Sequence, residues 1–177
     1  MFNAEILRTS RYSLRPIVED DIENIFKGLS NAEVVKYYAV SFNSLEATKE
    51  QMAWYRNLIE TETGIWWTIS LRKDNSFVGA IGFNDIERKS QSAEIGFWVL
   101  PNYWRQGILS EVIPIVVDHA FTRLGLARIV GYVEKENQAC RAALNKLGFI
   151  YEGTEEDCEI KDGMPISIAT YSLNSNS

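Results

Sequence analysis

Hydrophobic positions along this chain change period several times, and each change marks an element. Tyr12–Pro16 (YSLRP) reads as a short strand. Glu19, Asp20 and Asp21 then place carboxylates where the positive end of a helix favours them, and that helix runs through Ile22, Ile25, Phe26 and Leu29. A second helix is predicted from about Ser44 to Glu60, with Leu45, Met52, Tyr55 and Ile59 as its buried positions. Ile65–Leu71 and Phe77–Phe83 are rich in aromatic and β-branched residues, and Asp74 and Asn75 mark a turn between them, so the pair reads as a hairpin. Ala93–Leu100 adds a strand that stops at Pro101, which completes an antiparallel meander.

Beyond Pro101 a polar turn reaches Gly107, and a helical pattern follows in which Ile113, Val116, Val117, Ala120 and Leu124 share a face. Gly125 is predicted to end it. Pro114 is harmless if it falls in the first turn and kinks the helix if the helix begins at Gly107. Ala127–Val133 reads as a strand, Gln138–Leu147 as a helix stopped by Gly148, and two last strands lie near Tyr151–Asp157 and Ile166–Leu173. A strand–helix–strand unit inside a mixed sheet puts the chain in the α/β (mixed, α+β) class. With no repeat or Pro/Gly-rich linker, residues 1–173 read as a single domain and 174–177 as a disordered tail.

Composition narrows the chemistry. The chain has 177 residues, 46% of them hydrophobic, enough for one core. A net charge of −6 argues against a broad grip on nucleic acid phosphates. No run approaches the roughly 18 apolar residues of a membrane helix and the start is too polar for a secretory signal, so a cytoplasmic protein is expected. Cys140 and Cys158 have neither CxxC spacing nor further cysteines to form a framework, and read as buried or active-site thiols. The single histidine, His119, sits mid-helix, where packing is the better reading; a His-rich zinc site is unavailable, and no metal is expected.

One segment carries chemistry of its own. From Glu94 to Glu111 a strand leads through a turn with one glycine into a helix, and the free amides of a helix start can surround an anion. Arg105, Gln106 and the N–H groups after Gly107 could hold a diphosphate, although a lone glycine before a helix is more often a simple turn. The glycine patterns of phosphate-loop and dinucleotide-binding proteins are absent.

Taken together, Glu94–Val99 (EIGFWV), Tyr103–Ile108 (YWRQGI), Asn137–Phe149 (NQACRAALNKLGF) and Glu152–Gly153 resemble the successive motifs of the GNAT superfamily of N-acetyltransferases. Leu14–Pro16 and the stretch from Glu159 to Tyr171 extend the resemblance to the ribosomal-protein alanine N-acetyltransferase branch. The resemblance implies a central mixed, mostly antiparallel splayed sheet flanked by helices, with acetyl-coenzyme A as co-substrate. The pantetheine arm would pair like an extra strand beside Phe97, Trp98 and Val99. The diphosphate would sit on Arg105, Gln106, Gly107, Ile108, Leu109 and Ser110. Two positions depart from the superfamily habit, Trp104 and Leu109, and their bulk could shift the phosphate pose.

The resemblance also implies roles. Glu94 matches a frequent base position and Glu159 the water-positioning glutamate of the ribosomal branch, with Glu159 ranked slightly ahead; either could be an ordinary solvated carboxylate. Cys140 stands where the branch has a serine that protonates the leaving thiolate, against the alternative of a small buried side chain. Asn137 suits a helix cap and, in the family, also touches the pantetheine region. Arg141 and Lys146 are candidates for the cofactor's phosphates. The expected acceptor is a primary amine, foremost the N-terminal α-amino group of a protein or peptide. The alternatives are a small-molecule amine (antibiotic or polyamine) and a non-catalytic coenzyme A-binding domain. Neither nucleic acid nor membrane is an expected partner, and the chain is expected as a monomer or homodimer.

Overall fold

The structure is a computed structural model and describes residues 5–176. Among the described residues eight strands form one sheet in the order β1-β2-β3-β4-β5-β6-β8-β7. β1 (Leu7–Arg8), β2 (Tyr12–Pro16), β3 (Ile65–Leu71), β4 (Phe77–Glu87) and β5 (Ser92–Val99) run antiparallel in chain order. β5 then pairs in parallel with β6 (Arg128–Glu134), reached through helix α4 (Ile108–Thr122). Helix α5 (Gln138–Lys146) follows, and β7 (Ile150–Lys161) and β8 (Met164–Asn174) close the sheet as a hairpin, β8 lying beside β6. The mixed, mostly antiparallel sheet and the single βαβ unit agree with the sequence reading.

Two helical layers cover the sheet because neighbouring strand residues point to opposite faces. Trp67 joins the core made with α4 and α5, including Val112, Val116, Ala120 and Leu144. Its neighbour Trp66 joins the core made with α1 (Ile22–Leu29), α2 (Ala32–Val35) and α3 (Leu45–Glu60), including Ile25, Leu29, Met52 and Tyr55. Trp66 lies flat over two glycines, since a Cβ on Gly82 or Gly96 would come within 2.3 or 2.7 Å of its ring. His119 is buried against the edge of Trp67, as a packed residue should be.

Several boundaries differ from the sequence reading. Ser44 caps α3 through the amide of Ala47, which starts the helix as expected, but Leu45 is exposed and Leu58 takes a core position. α4 begins at Ile108, so Pro114 lies past the first turn, inside the helix. α4 ends at Thr122, before Gly125, and Leu124 packs beyond the helix. β8 continues through Asn174, paired with Arg128, and the Ser175 amide donates to the Ala127 carbonyl, so the expected tail begins inside the sheet. Ser177 lies outside the described residues.

Candidate functional site

The sheet forks between β5 and β6. Their ladder joins Ser92, Ala93 and Glu94 to Arg128, Ile129 and Val130 and goes no further. Beyond it each strand stays with its outer neighbour: β5 with β4 as far as Val99 and Gly79, β6 with β8 as far as Glu134 and Ile168. A wedge-shaped gap opens, lined on one side by the inner edge of β5.

Which backbone groups face it follows from alternation in an antiparallel pair. The Leu100 amide donates to the Val78 carbonyl, so the even-numbered residues Trp98 and Gly96 also turn their N–H and C=O groups toward β4. Phe97 and Val99 therefore turn theirs into the gap. Trp98 offers the gap no backbone group, and its ring is buried beside Gly28 and Phe77 in the α1–α3 core. The Val99 carbonyl already has a partner, the Trp104 indole N–H at 2.7 Å. Trp104 thus ties the loop after β5 back to the outer end of that strand by a specific hydrogen bond.

A tight loop follows. Pro101–Tyr103 forms one short helical turn, Arg105 and Gly107 both adopt left-handed backbone (φ +60° and +72°), and α4 starts at Ile108. Left-handed residues in such a turn aim successive amides toward one side and create an anion-binding concavity. The first amides of α4 add to it because they have no acceptor inside the helix. Three side chains of the loop are engaged elsewhere, since Ile108 is buried, Leu109 packs on the core, and the Gln106 side-chain amide donates to the Asn102 carbonyl, whereas Arg105 and Ser110 are exposed. Leu109 is thus partly drawn into the core, and the loop offers an anion its backbone amides beside the exposed Arg105.

At the fork itself stands Glu94, half-buried, with Asn84 Nδ2 at 3.2 Å from its Oε2. Burial, then the charge and hydrogen bond of Asp85, push its pKa up to about 7; Asn84 opposes the rise and the charge of Glu159 adds to it. A cavity of about 150 Å³ opens beside it, lined by Asp85, Ser92, Ala93, Glu94, Val130 and Tyr132. Glu159 lies on β7 opposite Ile166, just past an irregularity in the β7–β8 register, and is exposed. The two predicted carboxylates are near enough for the charge of Glu159 to be felt at Glu94. A larger cavity of about 540 Å³ between α1, α2 and the start of α3, around Leu29, Phe42 and Ala47, involves none of the predicted residues.

The α5 residues divide. Asn137 Oδ1 accepts the Cys140 amide at 3.2 Å and caps the helix. Burial raises the Cys140 thiol to about 12, and the side chain packs against the core. The Arg141 guanidinium is taken up by the Tyr171 hydroxyl, the Lys135 carbonyl and the face of Tyr151, so its visible work is structural. Lys146 sits in the last turn of α5, where a cation suits the helix dipole.

Sequence reasoning missed Asn84, Asp85, Tyr132, and a link at the mouth of the gap. Lys161 at the end of β7 donates to the carbonyls of Val35 and Lys36 at 3.2 and 2.7 Å and to Glu134 Oε1 at 3.0 Å. It joins the β6 side to α2, whose Val34 belongs to the same core as Trp98 and Leu100 on the β5 side. Only the left-handed Asp85 (φ +51°) carried a local irregularity, and nothing in the sequence reveals it.

Comparison with known proteins gives consistent results. Residues 11–150 match the family model described as an acetyltransferase (GNAT) domain. The chain is 37% identical over 169 residues to the uncharacterized N-acetyltransferase YoaA of Bacillus subtilis, covering 95% of this chain and 96% of that one. Among solved structures, an acetyltransferase of Salmonella typhimurium that modifies the N-terminal serine of a 50S ribosomal subunit protein superposes with a TM-score of 0.88 at 22% identity, covering 97% and 100% of the two chains. Spermidine N-acetyltransferase of Vibrio cholerae, in complex with coenzyme A and spermine, superposes with a TM-score of 0.84 at 20% identity, covering 93% and 96%.

Proposed function

This chain belongs to the GNAT acetyltransferase family, and from that premise we propose that it moves an acetyl group from acetyl-coenzyme A to the N-terminal α-amino group of a protein or peptide. The observation that carries the reading is Glu94, a carboxyl poised near neutrality at the fork of the sheet.

In this reading the pantetheine arm lies along β5 and pairs with the inward backbone of Phe97, as an added strand would. The diphosphate rests on the amides from Gly107 to Ser110. The amine nitrogen attacks the thioester carbon, and the Val99 N–H donates to the oxyanion that forms. Glu94 accepts the proton the amine gives up, the C–S bond breaks, and the thiolate departs. Glu159 keeps the acceptor side negative and raises Glu94. A thiol held at about 12 would give up its proton to a thiolate of reference pKa about 8.5 only uphill, so the departing sulfur is protonated from solvent and Cys140 packs.

The α-amino group suits this base. Its reference pKa of about 7.7–8.0 nearly matches Glu94, whereas a lysine-like amine near 10.4 would make the same transfer uphill by roughly 5 kcal/mol. The Salmonella neighbour modifies such a terminus. A second reading, a polyamine acceptor, has its own support: Asp85, Glu94 and Glu159 concentrate negative charge at the site, and the Vibrio neighbour is a spermidine acetyltransferase.

Purified protein with isotopically labelled acetyl-coenzyme A, offered N-terminal peptides and polyamines, gives the test by mass spectrometry. Acetyl transfer to peptide α-amines is expected. Transfer to polyamines alone would replace the first reading with the second, and tight cofactor binding without transfer to any amine would leave a binding domain.

A further inference from the structure

The turn between β1 and β2 precedes α4 by about a hundred residues, yet it grips the start of that helix. Glu111, in the first turn of α4, accepts from the Ser10 hydroxyl at 3.0 Å, the Arg11 amide at 2.9 Å and Arg11 Nε at 2.7 Å. Held this way, the guanidinium extends past Glu111 and donates through Nη1 to the Gln106 carbonyl at 3.1 Å. That carbonyl lies in the loop between the left-handed residues Arg105 and Gly107. For a residue with a side chain, as at Arg105, such backbone persists only when its surroundings hold it.

We propose that Arg11, oriented by Glu111, is a positioning residue for the acyl donor: by fixing the Gln106 carbonyl it aims the Gly107 N–H at the diphosphate. In a trans peptide the C=O of one residue and the N–H of the next point in opposite directions, and none of the described peptides is cis. A carbonyl pinned toward the β1–β2 turn therefore turns the Gly107 amide away from it, in the orientation an anion needs before it arrives. Preorganisation of this kind lowers the cost of binding. Arg11 also neutralises Glu111, whose carboxylate would otherwise repel a diphosphate seated one turn away. The inference rests on the reading that the loop from Arg105 to Ser110 receives the diphosphate of coenzyme A.

The experiment compares wild type, Arg11→Met and Arg11→Lys with two donors, acetyl-coenzyme A and acetyl-pantetheine, the second of which has the thioester and the arm but no diphosphate. Calorimetric binding of coenzyme A and of pantetheine repeats the comparison without turnover. Loss of the guanidinium's hydrogen bonds to Glu111 and to the Gln106 carbonyl, and of the preorganisation they supply, should raise the KM for acetyl-coenzyme A and the Kd for coenzyme A roughly tenfold in Arg11→Met, with kcat nearly constant. Values for the pantetheine compounds should not move, and Arg11→Lys, which keeps the charge, should recover part of the loss. Equal weakening of both donors, or of neither, overturns the positioning role. Wild-type protein that binds no coenzyme A sinks the cofactor reading itself, while wild-type binding with unchanged variants sinks this inference alone.

Discussion

Glu94 concentrates the chemistry in one residue, and its environment fixes two expectations. Acetyl transfer should rise as pH passes through about 7, where the carboxyl ionises, and Glu94→Gln should flatten that limb and lower turnover by roughly a hundredfold or more. The same burial has a stability consequence of opposite sign. A carboxyl whose pKa is higher folded than unfolded favours the fold below its unfolded value and loses that benefit as pH rises through the folded value. Glu94→Gln should therefore raise the melting temperature at pH 8 more than at pH 5, by an amount equivalent to on the order of 1 kcal/mol after allowance for solvent screening. Equal melting shifts at the two pH values would contradict the raised pKa. Cys140→Ala should leave turnover unchanged across pH while costing about 1 kcal/mol of packing, measured by denaturant unfolding. A selective loss of turnover at high pH would restore the thiol as the proton donor.

At the scale of elements, the contact between the β1–β2 turn and α4 depends on an ionised carboxylate. Burial alone would raise Glu111, but hydrogen bonds from Thr9, from the amide and guanidinium of Arg11 and from Ser10 outweigh it and lower the pKa to about 2. The sign is the reverse of Glu94: the stabilisation is complete above the ordinary carboxylate range and fades as pH falls toward 2. In melts between pH 5 and pH 2, wild type should lose stability that Glu111→Gln never had, so their curves should converge on acidification. Strand β5 depends in turn on a missing side chain, and Gly96→Ala should destabilise by about 1–3 kcal/mol because the new Cβ would meet the Trp66 ring at 2.7 Å. The long elements were legible in the sequence because their periods ran far enough to read, and at Asn137 before α5 a cap agreed with the period; the expected start of α3 at Ser44 proves to be a cap as well. Two residues of β1 and four of α2 are too few to show a period, and β7 hid its last turns behind a register shift that breaks alternation after Glu155. Within the site, Gly107 marked the anion loop, whereas Arg11, Asn84 and Lys161 gained their roles from contacts across the fold that local pattern cannot carry.

Across the whole molecule, the fork depends on two strands that each keep an outer partner and part from one another. Amide hydrogens at Phe97 and Val99 should exchange quickly in the free protein and slow on saturation with acetyl-coenzyme A, while those of Gly96 and Trp98, bonded to β4, stay protected throughout. Hydrogen exchange read residue by residue checks this, and unchanged exchange at Phe97 and Val99 would rule out an added strand there. The Lys161 ammonium has a consequence of a different kind. It staples the last hairpin to α2 through two carbonyls and a carboxylate, and releasing it would strand that carboxylate in a confined spot. The end of β7 and the segment after α2 are thereby tethered, so Lys161→Ala should quicken amide exchange in both at once, and exchange unchanged in either would show that the tether carries no strain.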